Sequence, residues 1–291
     1  MQAVGYYISL PFLYLISVLP YWLFYGFSDL LFFLLYYVIG YRKKVVRTNI
    51  ANSFPGMAAD EQKRIIRKYY RYLCDLFLES FQTLTMSRSF SARRCSLDPG
   101  AKKIFDDFYA KKQSVIIVMG HYGNWEWAGN TFSLECKNQL YVIYHPLDNK
   151  YFNRLIIRMR TRFGTKLISM RDTYKEMLKN KDEISATAFI ADQTPSPFGA
   201  HWTTFLNQDT PVFSGTEKIA LKMNYPVVYV SVNRIKRGYY RIMAEVLFYD
   251  PRSTREGEIS EAHTRKLEKE IIAAPEFWLW SHRRWKHKRP A

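Results

Sequence analysis

From Val4 to Phe27 the chain reads VGYYISLPFLYLISVLPYWLFYGF, 24 residues without a charge. A helix crossing a bilayer needs about 20 such residues. Tyr6, Tyr7, Tyr21, Trp22 and Tyr25 stand near its ends, where amphipathic rings settle at the lipid–water boundary. A secretory signal peptide fits poorly, because the run is too long and no basic residue precedes it. After Asp29 a second apolar run, Leu30 to Tyr41, is too short to cross alone. It reads as an interfacial or core-docked helix, or as the second half of one broken, tilted element.

Beyond Tyr41 the pattern changes. Asp60 to Leu84 places Ile65, Ile66, Tyr69, Tyr70, Leu73, Phe77, Phe81 and Leu84 at helical spacing. Lys63, Arg64, Arg67, Lys68 and Arg71 fall on the other face, which suits water or anionic lipid headgroups. Short apolar runs then predict buried strands at Ser114–Gly120, Leu140–Tyr144, Ile184–Ala191 and Pro226–Val232, while Tyr240–Phe248 alternates like an edge or antiparallel strand. Between them, helices are expected over Asn124–Phe132, Tyr151–Phe163, Thr173–Lys179, Gly215–Met223 and Ser260–Ala273. This alternation predicts an α/β fold, a mostly parallel central sheet flanked by helices, with an N-terminal membrane-anchoring helix. No internal repeat or interdomain linker interrupts it. The expected organisation is an anchor over residues 1–41 and one domain over 42–291 with a basic C-terminal tail.

Composition sharpens this picture. The chain has 291 residues and is 48% hydrophobic, enough for a large core and against disorder. Its net charge of +17 points to a polyanion or an anionic membrane surface. Residues 1–41 hold one charge, Asp29, so the remaining 250 carry 43 basic and 25 acidic side chains, +18. Arg42, Lys43, Lys44 and Arg47 follow the apolar segment directly, and by the positive-inside rule that flank and the body stay on the cytoplasmic side. Cys74, Cys95 and Cys136 are widely separated, which argues against a disulfide framework or a structural zinc site.

The stretch VIIVMGHYGNWEWAGNT, Val115 to Thr131, carries the clearest chemistry. A buried strand ends at Gly120, and a polar turn leads into a helix; in such sheets ligands bind outside the carboxyl ends of the strands. His121 stands at that edge, with Glu126 at the start of the helix. Across a tight turn this spacing can bring a carboxylate onto the imidazole, fixing its tautomer and leaving the other nitrogen to take a proton. Gly123 lets the turn close, and the helix N-terminal amides suit a developing oxyanion. Asn124, in the same turn, is a candidate substrate contact. The alternative is a histidine that ends a strand and a glutamate that faces solvent. Asp192 and Gln193 follow another apolar strand, again at a carboxyl end, and either line the pocket or start a turn before Pro195 and Pro197. Arg154, Arg158, Arg160 and Arg162 crowd one helical segment and suit phosphate or simply a solvated face. The tail SHRRWKHKRP, with Trp278, Trp280 and Trp285 nearby, suits nucleic acid, a membrane interface or an acidic protein. A covalent serine or cysteine route has less support: there is no G-x-S-x-G, and no cysteine lies beside a histidine.

HYGNWE, His121 to Glu126, resembles the H-x(4)-D/E motif of glycerolipid-type acyltransferases, and its surroundings resemble the lipid A late acyltransferase family. RTNIANSFPG (Arg47–Gly56), YHPLDNKYFNRLIIRMRTRFG (Tyr144–Gly164), FIADQTPS (Phe189–Ser196) and PEFWLWSHRRWKHKRP (Pro275–Pro290) are similar to further stretches of that family, in the same order and over nearly the whole chain. Two positions depart: His145 stands where the family often has Arg, and Asn207 near a usual Gly. The resemblance implies an inner-membrane O-acyltransferase moving a fatty acyl chain from acyl carrier protein to a hydroxyl of a lipid A precursor. His121 would act as base supported by Glu126, with Asn124, Arg160, Arg162, Asp192 and Gln193 binding substrate. It implies no metal or other cofactor, and turns the tail toward membrane or carrier protein rather than nucleic acid. Acyl transfer to a lysophospholipid or aminolipid is the nearest rival, and a membrane-tethered polyanion binder a distant one.

Overall fold

The computed structural model describes residues 2–289. The apolar front end is two helices rather than one. α1 (Gln2–Ser17) stops before Pro20, and α2 (Tyr21–Phe33) starts after it, continuing through a π-helical turn at Leu34–Ile39. Pro20 lacks an amide donor and turns Leu19 away from helical geometry, so Val4–Phe27 is not one continuous helix. Among the described residues, Tyr21–Ile39 is the one helix long and apolar enough to cross a membrane. α3 (Lys43–Ser53) follows, and α4 (Ala59–Gln82) realises the expected amphipathic helix, burying Ile65, Ile66, Tyr69 and Tyr70.

The body then alternates as predicted. α5 (Arg88–Arg94), β1 (Cys95–Leu97) and α6 (Pro99–Ala110) lead into β2 (Val115–Met119), α7 (Trp125–Glu135), β3 (Gln139–Tyr144), α8 (Lys150–Arg160) and β4 (Lys166–Ser169). α9 (Thr173–Lys179), β5 (Ser185–Ile190), the hairpin β6 (His201–Phe205) and β7 (Gln208–Val212), and α10 (Gly215–Met223) come next. β8 (Val227–Lys236), β9 (Tyr239–Phe248) and α11 (Glu258–Ala273) complete the order. The main sheet has seven strands in the order β1-β9-β8-β2-β5-β3-β4, all parallel except the β8–β9 pair. The alternation of Tyr240–Phe248 thus marks the antiparallel strand it predicted.

β2 shows why its run is continuously apolar. Ile116 and Val118 join the core beneath α4, α11 and the C-terminal tryptophans, whereas Val115 and Ile117 join the core beneath α6 and α7. Burial on both faces leaves no position for a polar side chain. The same layering corrects the reading of the tail. Trp278 and Trp280 are buried, Trp285 packs against them, and Arg284 is buried with them. The tail's aromatic residues are core, not a docking surface. Asn207, at the Gly-like position, takes the left-handed conformation (φ 61°) in the β6–β7 turn, and its side-chain Nδ2 donates to the Ser53 carbonyl at 2.9 Å.

Candidate active site

Parallel pairing sets the site. In the β2–β5 register Met119 faces Ile190, and two residues further His121 and Asp192 leave the strand ends side by side. The turn after His121 needs glycine: Gly123 has φ +62°, and a Cβ there would stand 1.9 Å from the Val232 carbonyl oxygen. Tyr72 donates to the Gly123 carbonyl at 2.6 Å, and the Gly123 amide donates to Phe277 O at 3.0 Å. Asn124 caps α7, its Oδ1 accepting from Trp127 N at 2.9 Å, while its Nδ2 donates to buried Glu79 at 2.8 Å. It lies behind the turn and away from the cleft.

The imidazole of His121 meets Asp192, not Glu126. Nδ1–H donates to Asp192 Oδ1 at 2.6 Å, and the His121 amide donates to Oδ2 at 2.8 Å. Trp278 Nε1–H donates to the same Oδ2 at 2.8 Å. Burial alone would raise the Asp192 carboxyl, but its pairing with His121 and these donors together hold it down to about 2. An ionised Asp192 fixes the proton on Nδ1 and leaves the Nε2 lone pair free. Gln193 Nε2 lies 3.4 Å from that nitrogen, and the Trp125 ring packs edge-on against the imidazole, centroids 4.9 Å apart.

Glu126 has a different partner. From the first turn of α7 it reaches α8, where Arg160 grips it with two bonds, Nε to Oε2 at 2.9 Å and Nη2 to Oε1 at 2.5 Å. Burial opposes its ionised form, but Arg160 first and His121 next outweigh it, so its carboxyl lies below the usual range. The pair lines the same cleft as His121. Arg162, expected to bind substrate, turns away: it donates to the carbonyls of Leu84 (2.7 Å) and Met86 (3.2 Å), fastening the chain after α4. Arg154 and Arg158 are exposed.

The cleft has a volume of about 470 Å³, in the range that holds small-molecule ligands. Val142, Ile143, Ile156, Phe189, Phe213 and Ile219 supply much of its wall, with His121, Gln193, Glu126 and Arg160 as polar points. His145 stands exposed at its mouth. Among the described residues no cluster of His, Cys, Asp and Glu is arranged to hold a metal ion. Two participants escaped the sequence reading. Trp278 was visible only as one of several tail tryptophans, and Glu79, which holds Asn124, only as a polar position in a helix.

Over residues 1–287 the chain matches the bacterial lipid A biosynthesis acyltransferase family model. It is 25% identical over 260 residues to a lipid A biosynthesis palmitoleoyltransferase of Escherichia coli (strain K12), covering 84% of this chain and 79% of that protein. A lipid A biosynthesis acyltransferase of Shigella flexneri matches with the same identity and coverage. A lipid A biosynthesis lauroyltransferase of Escherichia coli (strain K12) is 24% identical over 250 residues, again covering 84% and 79%. A histidine held by a carboxylate at the end of an apolar cleft, in a chain matched along its length, places this acyltransferase in the bacterial lipid A biosynthesis acyltransferase family.

Proposed function

We propose that the protein transfers a fatty acyl chain from the thioester of acyl carrier protein to a free hydroxyl of a lipid A precursor, with its body on the cytoplasmic side of the inner membrane. The observation that carries this reading is the His121–Asp192 couple, whose free imidazole nitrogen stands at the edge of an apolar cleft. His121 Nε2 takes the acceptor hydroxyl proton as its oxygen attacks the thioester carbonyl. The first amides of α7 have no intrahelical partner, and those not already taken by Asn124 suit the oxyanion of the tetrahedral intermediate. Collapse breaks the C–S bond, and the imidazolium returns its proton to the leaving thiolate. The products are one ester and one free thiol, with no change in oxidation state.

Asp192 orients the base and stabilises the imidazolium. Glu126 adds a second negative charge in the same cleft as His121 and holds Arg160, whose guanidinium suits a phosphate on the acceptor. Gln193 suits the acceptor hydroxyl. The apolar wall suits the acyl chain. The test offers purified protein acyl-carrier-protein thioesters with three acceptors in turn: a lipid A precursor, a lysophospholipid and an aminolipid. A mass gain of one acyl chain on the lipid A precursor alone is expected; gain only on another acceptor would overturn the acceptor assignment.

A further inference from the structure

α1 and α2 each leave an apolar face uncovered by the body. α1 exposes Tyr7, Ile8, Phe12 and Leu15, and the helix from Tyr21 to Ile39 exposes Trp22 (77%), Leu30, Phe33, Tyr37 and Val38. Soluble chains rarely expose contiguous apolar surface on this scale. Tyr21–Ile39 has 19 residues, about 28 Å of helix, close to the thickness of the hydrocarbon core, about 30 Å.

Its other face argues against crossing. That face is fastened to the body along its whole length. Tyr21 donates to Gly238 O at 3.1 Å, Tyr25 to Glu79 at 2.6 Å and Ser28 to Asp75 at 2.7 Å. Asp29 pairs with Arg237 at 2.9 Å, Arg71 lies over the Phe32 ring at 5.1 Å, and the Tyr36 and Tyr70 rings are 5.2 Å apart. A transmembrane orientation would draw α4 and the β8–β9 turn into hydrocarbon beside it. That would immerse Arg71, Asp75 and Arg237, and the exposed Arg67 and Lys68 of α4, at depths where ionised side chains are rarely tolerated.

We infer that α1 and α2 lie in the plane of one membrane leaflet, apolar face down, so that both ends of the chain remain on the same side of the bilayer. The occupant of this face is lipid, because Arg42, Lys44 and Arg47 stand exposed beside its end, where anionic headgroups would lie. The seating also places the cleft. α8 sets Tyr151 and Phe152 against Tyr6 of α1, with centroids 5.6 and 5.4 Å apart. The same helix contributes Asn153, Ile156 and Arg160 to the cleft. A lipid acceptor therefore reaches His121 sideways from the leaflet. This last step rests on the proposed acceptor; the topology does not, so a failed acylation assay and a failed topology assay are separate results.

The test places one epitope tag at each end of the full chain and applies protease to intact spheroplasts and to inverted inner-membrane vesicles. Both tags cut in the same preparation is the expected result. Tags cut in opposite preparations would show that the chain crosses and would overturn the inference. In proteoliposomes containing brominated phospholipid, Trp22→Phe should lose part of the quenchable tryptophan fluorescence. Equal quenching of wild type and variant, or a disulfide-linked dimer formed by Trp22→Cys in membranes, would remove lipid as the occupant.

Discussion

Replacing Asp192 by Asn changes one atom of the site and separates the two carboxylates that compete for the role behind His121. Asp192 Oδ2 accepts two bonds, from the His121 amide and from Trp278 Nε1, both at 2.8 Å. An amide nitrogen cannot accept either, so the Asn oxygen must stay in that place. Its NH2 then faces His121 Nδ1, which lies 2.6 Å from Oδ1 in the wild type. Nδ1 must become the acceptor, and the ring proton moves to Nε2, the nitrogen that has to receive the hydroxyl proton. Such a wrong-tautomer lesion lowers kcat by about 10⁴-fold in serine hydrolases. With the His121 side chain 18% exposed, the expected loss is about 10³- to 10⁴-fold, or roughly 4–5.5 kcal/mol of barrier. The assay is single-turnover acyl transfer with saturating acceptor, together with thermal melting to confirm folding. Glu126→Gln keeps the shape of the pair with Arg160 and should cost less. An Asp192→Asn protein within tenfold of wild type, beside a dead Glu126→Gln, would put Glu126 rather than Asp192 behind the imidazole and refute the reasoning.

Four further outcomes follow from the same structure. Arg162→Ala, which loses two charge-assisted bonds to carbonyls, should cost about 2–3 kcal/mol in stability with KM for the acceptor unchanged. Arg160→Ala should instead raise KM or lower kcat, and steady-state kinetics beside denaturant melts tells the two apart. Buried His263 is held neutral, lowered from 6.5 to about 4 by burial against the weaker pull of Glu217 and Asp192. Because its folded value lies below the unfolded one, its contribution is complete above pH 6.5 and is lost as pH falls toward 4, about 3 kcal/mol in all; His263→Phe should flatten the fall of Tm across that window. Gly123→Ala, which sets a methyl group against the Val232 carbonyl at a positive φ, should abolish activity and lower Tm, measured by melting and turnover together.

Much of this molecule was legible in its sequence because strands buried on both faces admit only apolar residues. The runs ending at Gly120 and Ala191 therefore marked β2 and β5, and with them the positions of His121 and Asp192. What joins those two residues was not legible. They lie 71 positions apart, and only the β2–β5 register brings them together. Glu126, five residues from His121, was the nearer candidate along the chain, but the helix started by Asn124 carries it toward Arg160. Composition likewise could not separate interfacial from buried aromatics. Trp278 and Trp280 sit in a basic tail yet fill the core, whereas Trp22 lies on the open face of α2. At the front end, hydropathy registered one long run where Pro20 divides two helices.

The most direct test of the central claim is acyl transfer by wild type and His121→Ala, followed by mass spectrometry of the lipid A precursor after incubation with acyl-carrier-protein thioesters. One added acyl chain is expected with the wild-type protein and none above background with a folded His121→Ala variant. Transfer by that variant at the wild-type rate would contradict it, because no base would remain at the end of β2 to take the hydroxyl proton.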